Sequence, residues 1–250
     1  VKGYEVIFHL AAEIFVPRTI EDPVESAEIN TIGTLKVLEA ARQKGVRRVV
    51  YSSSCAVYGN PDNLPITEYT LAKPLSPYAV QKLTGEYYAT VYSDLHGLET
   101  VSLRYFNVFG PRQDASSPYS GAIAVFMERS LNGQESAIHG DGEQSRDFIY
   151  VADVVEANLI AANKTGLSGE VFNIGTGQQT TINQLWEEVS RSTAIDLAPA
   201  YEPARKGDVR ASVADTRLAA QKLGYQAITT LEEGITKTYQ WYKNRLKAKG

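Results

Sequence analysis

Short apolar runs of strand length alternate with longer runs of helical spacing through the first 105 residues, and this alternation constrains the fold more than any other feature. Residues 6–10 (VIFHL) form an apolar run that ends at small residues. Residues 24–44 carry apolar side chains at helical spacing and close on Gly45, which predicts a helix. A second strand is predicted at 48–51 (RVVY), followed by the serine-rich turn 52–54. A loop with Pro61, Pro65, Pro74 and Pro77 leads into a predicted helix over 78–95 that ends near Gly97, and a third strand follows at 100–105 (TVSLRY). Strands separated by helices pair in parallel, so the expected fold class is α/β, a doubly wound parallel sheet.

After Gly110 the texture changes. Short strands at 136–138 and 171–174 sit between helices predicted at 122–131, 151–161, 182–192 and 231–247. The expected division is a first domain over 1–112 and a smaller α/β lobe over 113–250, with the strand at 171–174 a candidate to return to the main sheet. In open α/β sheets ligands bind at the carboxyl ends of strands, which marks HLAA, SSS and RYFN.

Composition narrows the partners. The chain has 250 residues, 43% hydrophobic and 22% charged, with a net charge of −4 and no long basic run. That argues against nucleic acid or an anionic membrane as the main partner. The longest apolar runs are strand-length, too short to span a bilayer. The lone Cys55 forms no intrachain disulfide, which fits a reducing compartment and a cytoplasmic enzyme. No His/Cys cluster has metal spacing, so no metal is expected, and His9 reads as a satisfied buried histidine.

Tyr78 and Lys82 stand four apart in SPYAVQK, on one face of the predicted helix. With 15 tyrosines in the chain, that spacing arises by accident about once. A second copy exists at Tyr239 and Lys243, in an amphipathic C-terminal stretch without strand-end serines, and reads as structural. Only the first copy follows a strand-end hydroxyl, Ser54. Ser54, Tyr78 and Lys82 resemble the Ser-Tyr-Lys triad of the short-chain dehydrogenase/reductases. HLAA, NTIGT, SSSCAVYG, SPYAVQK, RYFNVFGPRQ, GDGEQSRDFIYVAD, VFNIGTG and RKGDVRASVAD then occur in the order found in extended members of that superfamily that act on nucleotide sugars, the NAD-dependent epimerase/dehydratase family. Within it the resemblance is to UDP-sugar 4-epimerases, those acting on UDP-N-acetylglucosamine ahead of those acting on UDP-glucose.

The resemblance implies a Rossmann-like sheet, NAD as cofactor, a UDP-sugar as substrate and a homodimer formed through two helices. It implies that Tyr78 takes the proton of the sugar 4-hydroxyl, that Ser54 hydrogen-bonds the same oxygen, and that Lys82 lowers the phenol pKa and binds the nicotinamide ribose. A phenol of pKa about 10 must fall by roughly 3 units to ionise at pH 7, a cost of about 4 kcal/mol. One cation about 4 Å away at an effective dielectric near 20 supplies about that much. Leu10, Ala11, Ala12, Asn30, Ser52 and Tyr105 match cofactor positions, although strand-end packing is the alternative for 10–12 and Tyr105. Val16, Asn107, Ala122, Ile123, Ile138, Arg146, Arg205, Asp208 and Ser212 match substrate positions, the two arginines as pyrophosphate ligands and Asp208 as acceptor for a ribose hydroxyl. Surface ion pairing of Arg146 with Asp147 or Asp153, and of Arg205 with a nearby acid, is the alternative. The small Ser212 and the segment VPR at 16–18 point to an N-acetylated sugar.

A 4,6-dehydratase of the family needs an acidic pair after the strand-end hydroxyl, where this chain has Cys55 and Ala56. Another epimerase of the same family and a non-catalytic dinucleotide sensor of the same fold stay open. The family also opens with a glycine-rich βαβ unit, about 70 residues that this sequence lacks, so a truncated chain with weak NAD binding is expected. The codons upstream of Val1 test that expectation.

Overall fold

The computed structural model describes residues 3–114, 121–194, 197–204 and 209–247. In chain order the elements are β1 (Val6–His9), α1 (Val16–Glu21), α2 (Pro23–Ala27), α3 (Gly33–Gln43), β2 (Arg48–Ser54), α4 (Pro77–His96), β3 (Glu99–Tyr105), β4 (Asn107–Phe109) and α5 (Ala122–Leu131). There follow β5 (Ala137–His139), β6 (Ser145–Arg146), β7 (Phe148–Tyr150), α6 (Val151–Asn163), β8 (Glu170–Ile174), β9 (Thr180–Thr181), α7 (Ile182–Thr193), β10 (Ala200–Glu202) and α8 (Leu231–Lys247). The helix expected over 24–44 is broken: a π-helical turn over Glu28–Ile32 lies between α2 and α3, and it turns Asn30 into the interior.

These elements form two compact units. The first comprises the described residues of Val1–Phe106, Val155–Ile174 and Asp215–Gln226. Its sheet has the order β1-β2-β3-β8, and every neighbouring pair is parallel. The second unit comprises the described residues of Asn107–Val154, Gly175–Ala214 and Ala227–Gly250. This differs from a single cut after residue 112, because β8 supplies the fourth strand of the main sheet, pairing with β3 from Val101↔Glu170 to Tyr105↔Ile174. The chain must then return to the first unit to deliver that strand.

Sequence accounts for the positions of β2 and α4, which matter most below. Val49, Val50, Val101 and Leu103 alternate through β2 and β3 and are fully buried, each stabilising the sheet by about 1.5–3 kcal/mol. Leu38 and Ala41 of α3 pack with Val46, Val49 and Leu98 on one face of that sheet. At the start of α4 the Ser76 hydroxyl accepts from Ala79 N at 3.2 Å and Pro77 fills the first turn, where no backbone donor is required. The helix buries Ala79, Gln81, Lys82, Gly85, Glu86 and Ala89. Gly85 sets the closeness of approach: a Cβ there would collide with the hydroxyl of Tyr51 on β2.

The second unit is built on α5, α7 and α8 around Phe126, Met127, Leu185, Trp186, Val189 and Ile235. Phe126 and Trp186 meet edge to face with ring centroids 5.1 Å apart. A reciprocal capping box between Thr181 and Gln184 starts α7. Two-stranded pairings β4·β7, β5·β10 and β6·β9 complete this unit. Among the described residues no helix is long and apolar enough to cross a membrane.

Candidate active site

Three parallel strands of the first unit end side by side, and their register sets the site. Tyr51 of β2 lies opposite His9 of β1, and Ser54 lies opposite Tyr105 of β3. Ser54 is the last residue of β2, and its hydroxyl accepts from Ala56 N at 3.2 Å as the chain turns into a short 3-10 segment. The same side chain lies close enough to the phenol of Tyr78, in the first turn of α4, to favour its ionised form. One turn further, Lys82 is only 3% exposed and its Nζ donates to the main-chain oxygen of Ser52 at 2.7 Å. That ammonium stands 5.8 Å from the Tyr78 ring centroid and 5.3 Å from that of Tyr51. The structure therefore brings Ser54, Tyr78 and Lys82 together at the end of β2.

Electrostatics refines the expected chemistry. Burial pushes the Lys82 ammonium down to about 8, which leaves it mostly charged at pH 7. Burial pushes the Tyr78 phenol up, the nearby Ser54 side chain opposes that rise, and the neighbouring Cys55 adds to it. The protein alone thus does not depress the Tyr78 pKa as the simple charge estimate expects. Lys82 lies beside the ring and hydrogen-bonds Ser52, so it does not contact the phenol oxygen. His9 is a satisfied core residue: its Nε2 contacts Thr34 Oγ1 at 2.9 Å, and burial, followed by the field of Lys82, lowers its pKa.

Leu10 is 53% exposed, Ala11 is exposed and Ala12 half-buried, just past the end of β1. The Tyr105 hydroxyl donates to Asn158 Oδ1 at 2.9 Å, and burial raises its pKa to about 12, opposed by Asn158 and then by the nearby Ser52 side chain. Asn30 is 2% exposed, its Nδ2 donates to Glu13 O at 2.9 Å and Gln81 Oε1 at 2.7 Å, and its Oδ1 accepts from Glu13 N at 2.7 Å. With both amide hydrogens spent on the protein it braces the segment after β1 against α4. Val16 opens α1 after that segment and is half-buried.

The remaining candidates lie in the second unit. Arg146 ends β6, opposite Thr180, and its Nη1 donates to Ser145 O at 2.8 Å. Asp147 and Asp153 are engaged elsewhere: Asp147 accepts from the amides of Thr176, Gly177 and Ala214, and Asp153 from those of Ile228 and Thr229. The glycine run IGTG thus cradles a carboxylate of the protein itself, and a Cβ on Gly175 would press on Asp147 Oδ2 at 2.7 Å. Ser212 joins the neighbourhood of Arg146, its amide donating to Ser145 O at 3.1 Å, and it is 8% exposed. Asn107 begins β4, and its Oδ1 is buried with no hydrogen-bond partner among the described residues. Ala122 opens α5 half-buried. The side chains of Ile123 and Ile138 belong to the hydrophobic core of this unit. Arg205 and Asp208 lie outside the described residues.

Sequence reasoning missed a buried polar cluster beside the triad. Glu86, four residues after Lys82, accepts from Ser53 Oγ and from Arg104 of β3 through two nitrogens at 2.9 and 2.6 Å. Arg104 also donates to Tyr58 Oη at 2.8 Å, which in turn donates to Asn173 Oδ1 at 2.6 Å. The signal was the continuation of the 78/82 stripe to 86 on the same helix face.

The donor set fits a dinucleotide bearing ribose hydroxyls. Lys82 has three hydrogens and uses one on Ser52 O, so a buried cation keeps two to share beside the Tyr78 hydroxyl. Similarity to known proteins agrees. Residues 1–175 match the NAD dependent epimerase/dehydratase family. The UDP-glucose 4-epimerase of Mycolicibacterium smegmatis is 41% identical over 242 residues, 96% of this chain and 77% of that protein. The crystal structure of UDP-glucose 4-epimerase from Thermotoga maritima with UDP-glucose superposes with a TM-score of 0.93 at 42% identity, covering 97% of this chain and 78% of that one. The UDP-N-acetylglucosamine 4-epimerase of Methanobrevibacter ruminantium, in complex with UDP-N-acetylmuramic acid, gives 0.95 at 38% identity, covering 98% and 78%. With these matches and a strand-end serine, tyrosine and lysine in one cluster, the chain belongs to the NAD-dependent epimerase/dehydratase family of enzymes.

Proposed function

We propose that the protein is an NAD-dependent UDP-sugar 4-epimerase that interconverts UDP-N-acetylglucosamine and UDP-N-acetylgalactosamine. The observation that carries the reaction class is the Ser54–Tyr78–Lys82 cluster at the end of β2. Tyr78 Oη takes the proton of the sugar 4-hydroxyl and later returns it, acting first as base and then as acid. Ser54 hydrogen-bonds the same oxygen and holds it against the phenol. NAD bound beside Lys82 would supply the hydride acceptor and donor that inversion at C4 needs. Lys82 binds ribose hydroxyls with its two uncommitted hydrogens, and its charge favours the Tyr78 phenolate. Leu10, Ala11 and Ala12 line the cofactor path, with Ser52 and Tyr105 fixing the floor on which Lys82 rests. In the second unit Arg146 and Arg205 hold the diphosphate, Asp208 a ribose hydroxyl, and Asn107 offers its unpaired oxygen to the ligand.

Ser212 supports the choice of sugar. Its small side chain, next to the strand that carries Arg146, obstructs an acetamido group less than a tyrosine would. Ser212→Tyr is expected to abolish turnover of UDP-N-acetylglucosamine while UDP-glucose turnover stays within a few fold. Equal loss on both sugars would overturn that assignment, and turnover of UDP-glucose alone by the unaltered enzyme would favour a UDP-glucose 4-epimerase. We also assign a cytoplasmic homodimer paired through α3 and α4. Val80, Tyr87, Val91 and Leu95 form an exposed apolar stripe on α4, and a monomer mass in sedimentation would count against the pairing.

A further inference from the structure

Behind the triad lies a buried ion pair that the proposed chemistry does not use. Glu86 is 2% exposed, and its carboxylate accepts from Ser53 and, through both oxygens, from Arg104. Ser53 and Arg104 are register partners across β2 and β3. Each also precedes a site residue, Ser54 on β2 and Tyr105 on β3. On α4, Tyr78, Lys82 and Glu86 follow one another at intervals of four, so they lie along one stripe. The helix is thereby fastened to β2 at two successive residues: Lys82 to Ser52 O and Glu86 to Ser53 Oγ. Arg104 is held in turn by Tyr58 Oη at 2.8 Å and Glu68 O at 3.2 Å, and its guanidinium lies 4.7 Å from the Tyr58 ring centroid.

We infer that Glu86, with Arg104 and Ser53, is a positioning device that sets the height of α4 along the strand ends and so holds the Tyr78 phenol against Ser54. This rests on the function proposed for Tyr78. The physical case is one of stability against precision. A buried ion pair costs desolvation, and an apolar replacement of similar volume is often neutral or stabilising, so fold stability alone does not call for a charge here. Position does, because one residue along a helix is a rise of 1.5 Å. An error near 1 Å between reacting groups costs about 10²-fold in rate. An apolar contact tolerates such sliding, whereas a carboxylate shared by a forked guanidinium and a hydroxyl fixes both distance and direction.

The test replaces the polar cluster without leaving a lone charge. The triple variant Ser53→Ala, Glu86→Met, Arg104→Leu is expected to unfold within a few degrees of the unaltered protein, while kcat on its UDP-sugar falls about 30-fold with KM changed less than twofold. The milder Ser53→Ala keeps the ion pair and is expected to lose about fivefold in kcat, which preserves the test should the triple variant not fold. A readout independent of turnover is the titration of Tyr78, followed by NMR on protein with ring-labelled tyrosine and assigned by the signal lost in Tyr78→Phe. Weakening of the Ser54 contact is expected to move that titration to higher pH in both variants. A folded variant with kcat within twofold and an unmoved Tyr78 titration would overturn the inference. Absence of epimerase activity in the unaltered protein, with the Tyr78 titration still moving in the variants, would instead overturn the proposed reaction and leave the positioning role standing.

Discussion

The molecule contains the same four-residue motif twice, and the two copies differ in everything except spacing. In α4 the Lys82 ammonium stands 5.8 Å from the Tyr78 ring centroid, and in α8 the Lys243 ammonium stands 5.5 Å from that of Tyr239. The helix therefore delivers nearly the same cation over the same ring in both places. What changes is the ground beneath. Lys82 is buried against the end of β2 and tied to Ser52, whereas Lys243 is exposed to water. Tyr78 has the Ser54 hydroxyl beside its phenol, favouring the ionised form, while Tyr239 packs against the core of the second unit. A Tyr-x-x-x-Lys pair becomes chemistry only where a strand end supplies a hydroxyl and burial removes the solvent.

The largest expected effect breaks that contrast if it fails. Tyr78→Phe removes the group that moves the proton, and kcat is expected to fall about 10³-fold, within the range for loss of a general acid–base. Tyr239→Phe should leave kcat within twofold, since only packing is touched. Comparable losses in a steady-state assay of both variants would show that the buried setting of Tyr78 has no special role.

A smaller effect sharpens the comparison through pH. With Lys82 titrating near 8, its charge is present at neutral pH and lost as pH rises through that value. The rate should decline about tenfold per unit above pH 8 once the ammonium is gone. Lys243→Met should leave this alkaline limb where it is. A rate that stays level to pH 10 would show that the charge of Lys82 does not support Tyr78.

Much of this contrast was legible in sequence, for physical reasons. Alternating strand and helix runs gave the parallel sheet, because the apolar residues of β2 and β3 are consecutive or alternate in patterns a strand must bury. The clustering of Ser54, Tyr78 and Lys82 could be read because Ser54 closes a strand, Tyr78 lies in the first turn of a helix and Lys82 follows one turn later on the same face. The bracing contacts of Asn30 could not, because they depend on a π-helical turn and on Gln81, 51 residues away. Glu86 and Arg104 were hidden for a related reason: a carboxylate on an amphipathic helix reads as solvated until the register of β2 against β3 brings Ser53 and Arg104 to it. The return of the strand at 171–174 to the main sheet was anticipated, but its register against β3 depends on long-range pairing that local periodicity does not encode.

The smallest expected effect concerns stability and isolates burial from chemistry. A lysine whose folded pKa is pushed from 10.5 down to about 8 carries a cost of about 3 kcal/mol at pH 7. Between about pH 8 and 10.5 the unfolded chain binds more protons at this site than the folded protein, so stability at this site rises with pH across that window. Below pH 8 the full cost is present. Lys82→Met removes the buried charge and also strips Ser52 O of its donor, a loss of about 1 kcal/mol. At pH 7 the variant should therefore unfold at or slightly above the temperature of the unaltered protein, despite its damaged activity. By pH 10 that advantage should vanish or reverse, because the unaltered protein has then shed the charge. Lys243→Met serves as the comparison, since water already surrounds its ammonium. Thermal unfolding of the three proteins at pH 7 and pH 10 measures this directly. If the gap between Lys82→Met and the unaltered protein is the same at both pH values, the ammonium is not destabilised by burial, and the two copies of the motif differ only in their neighbours.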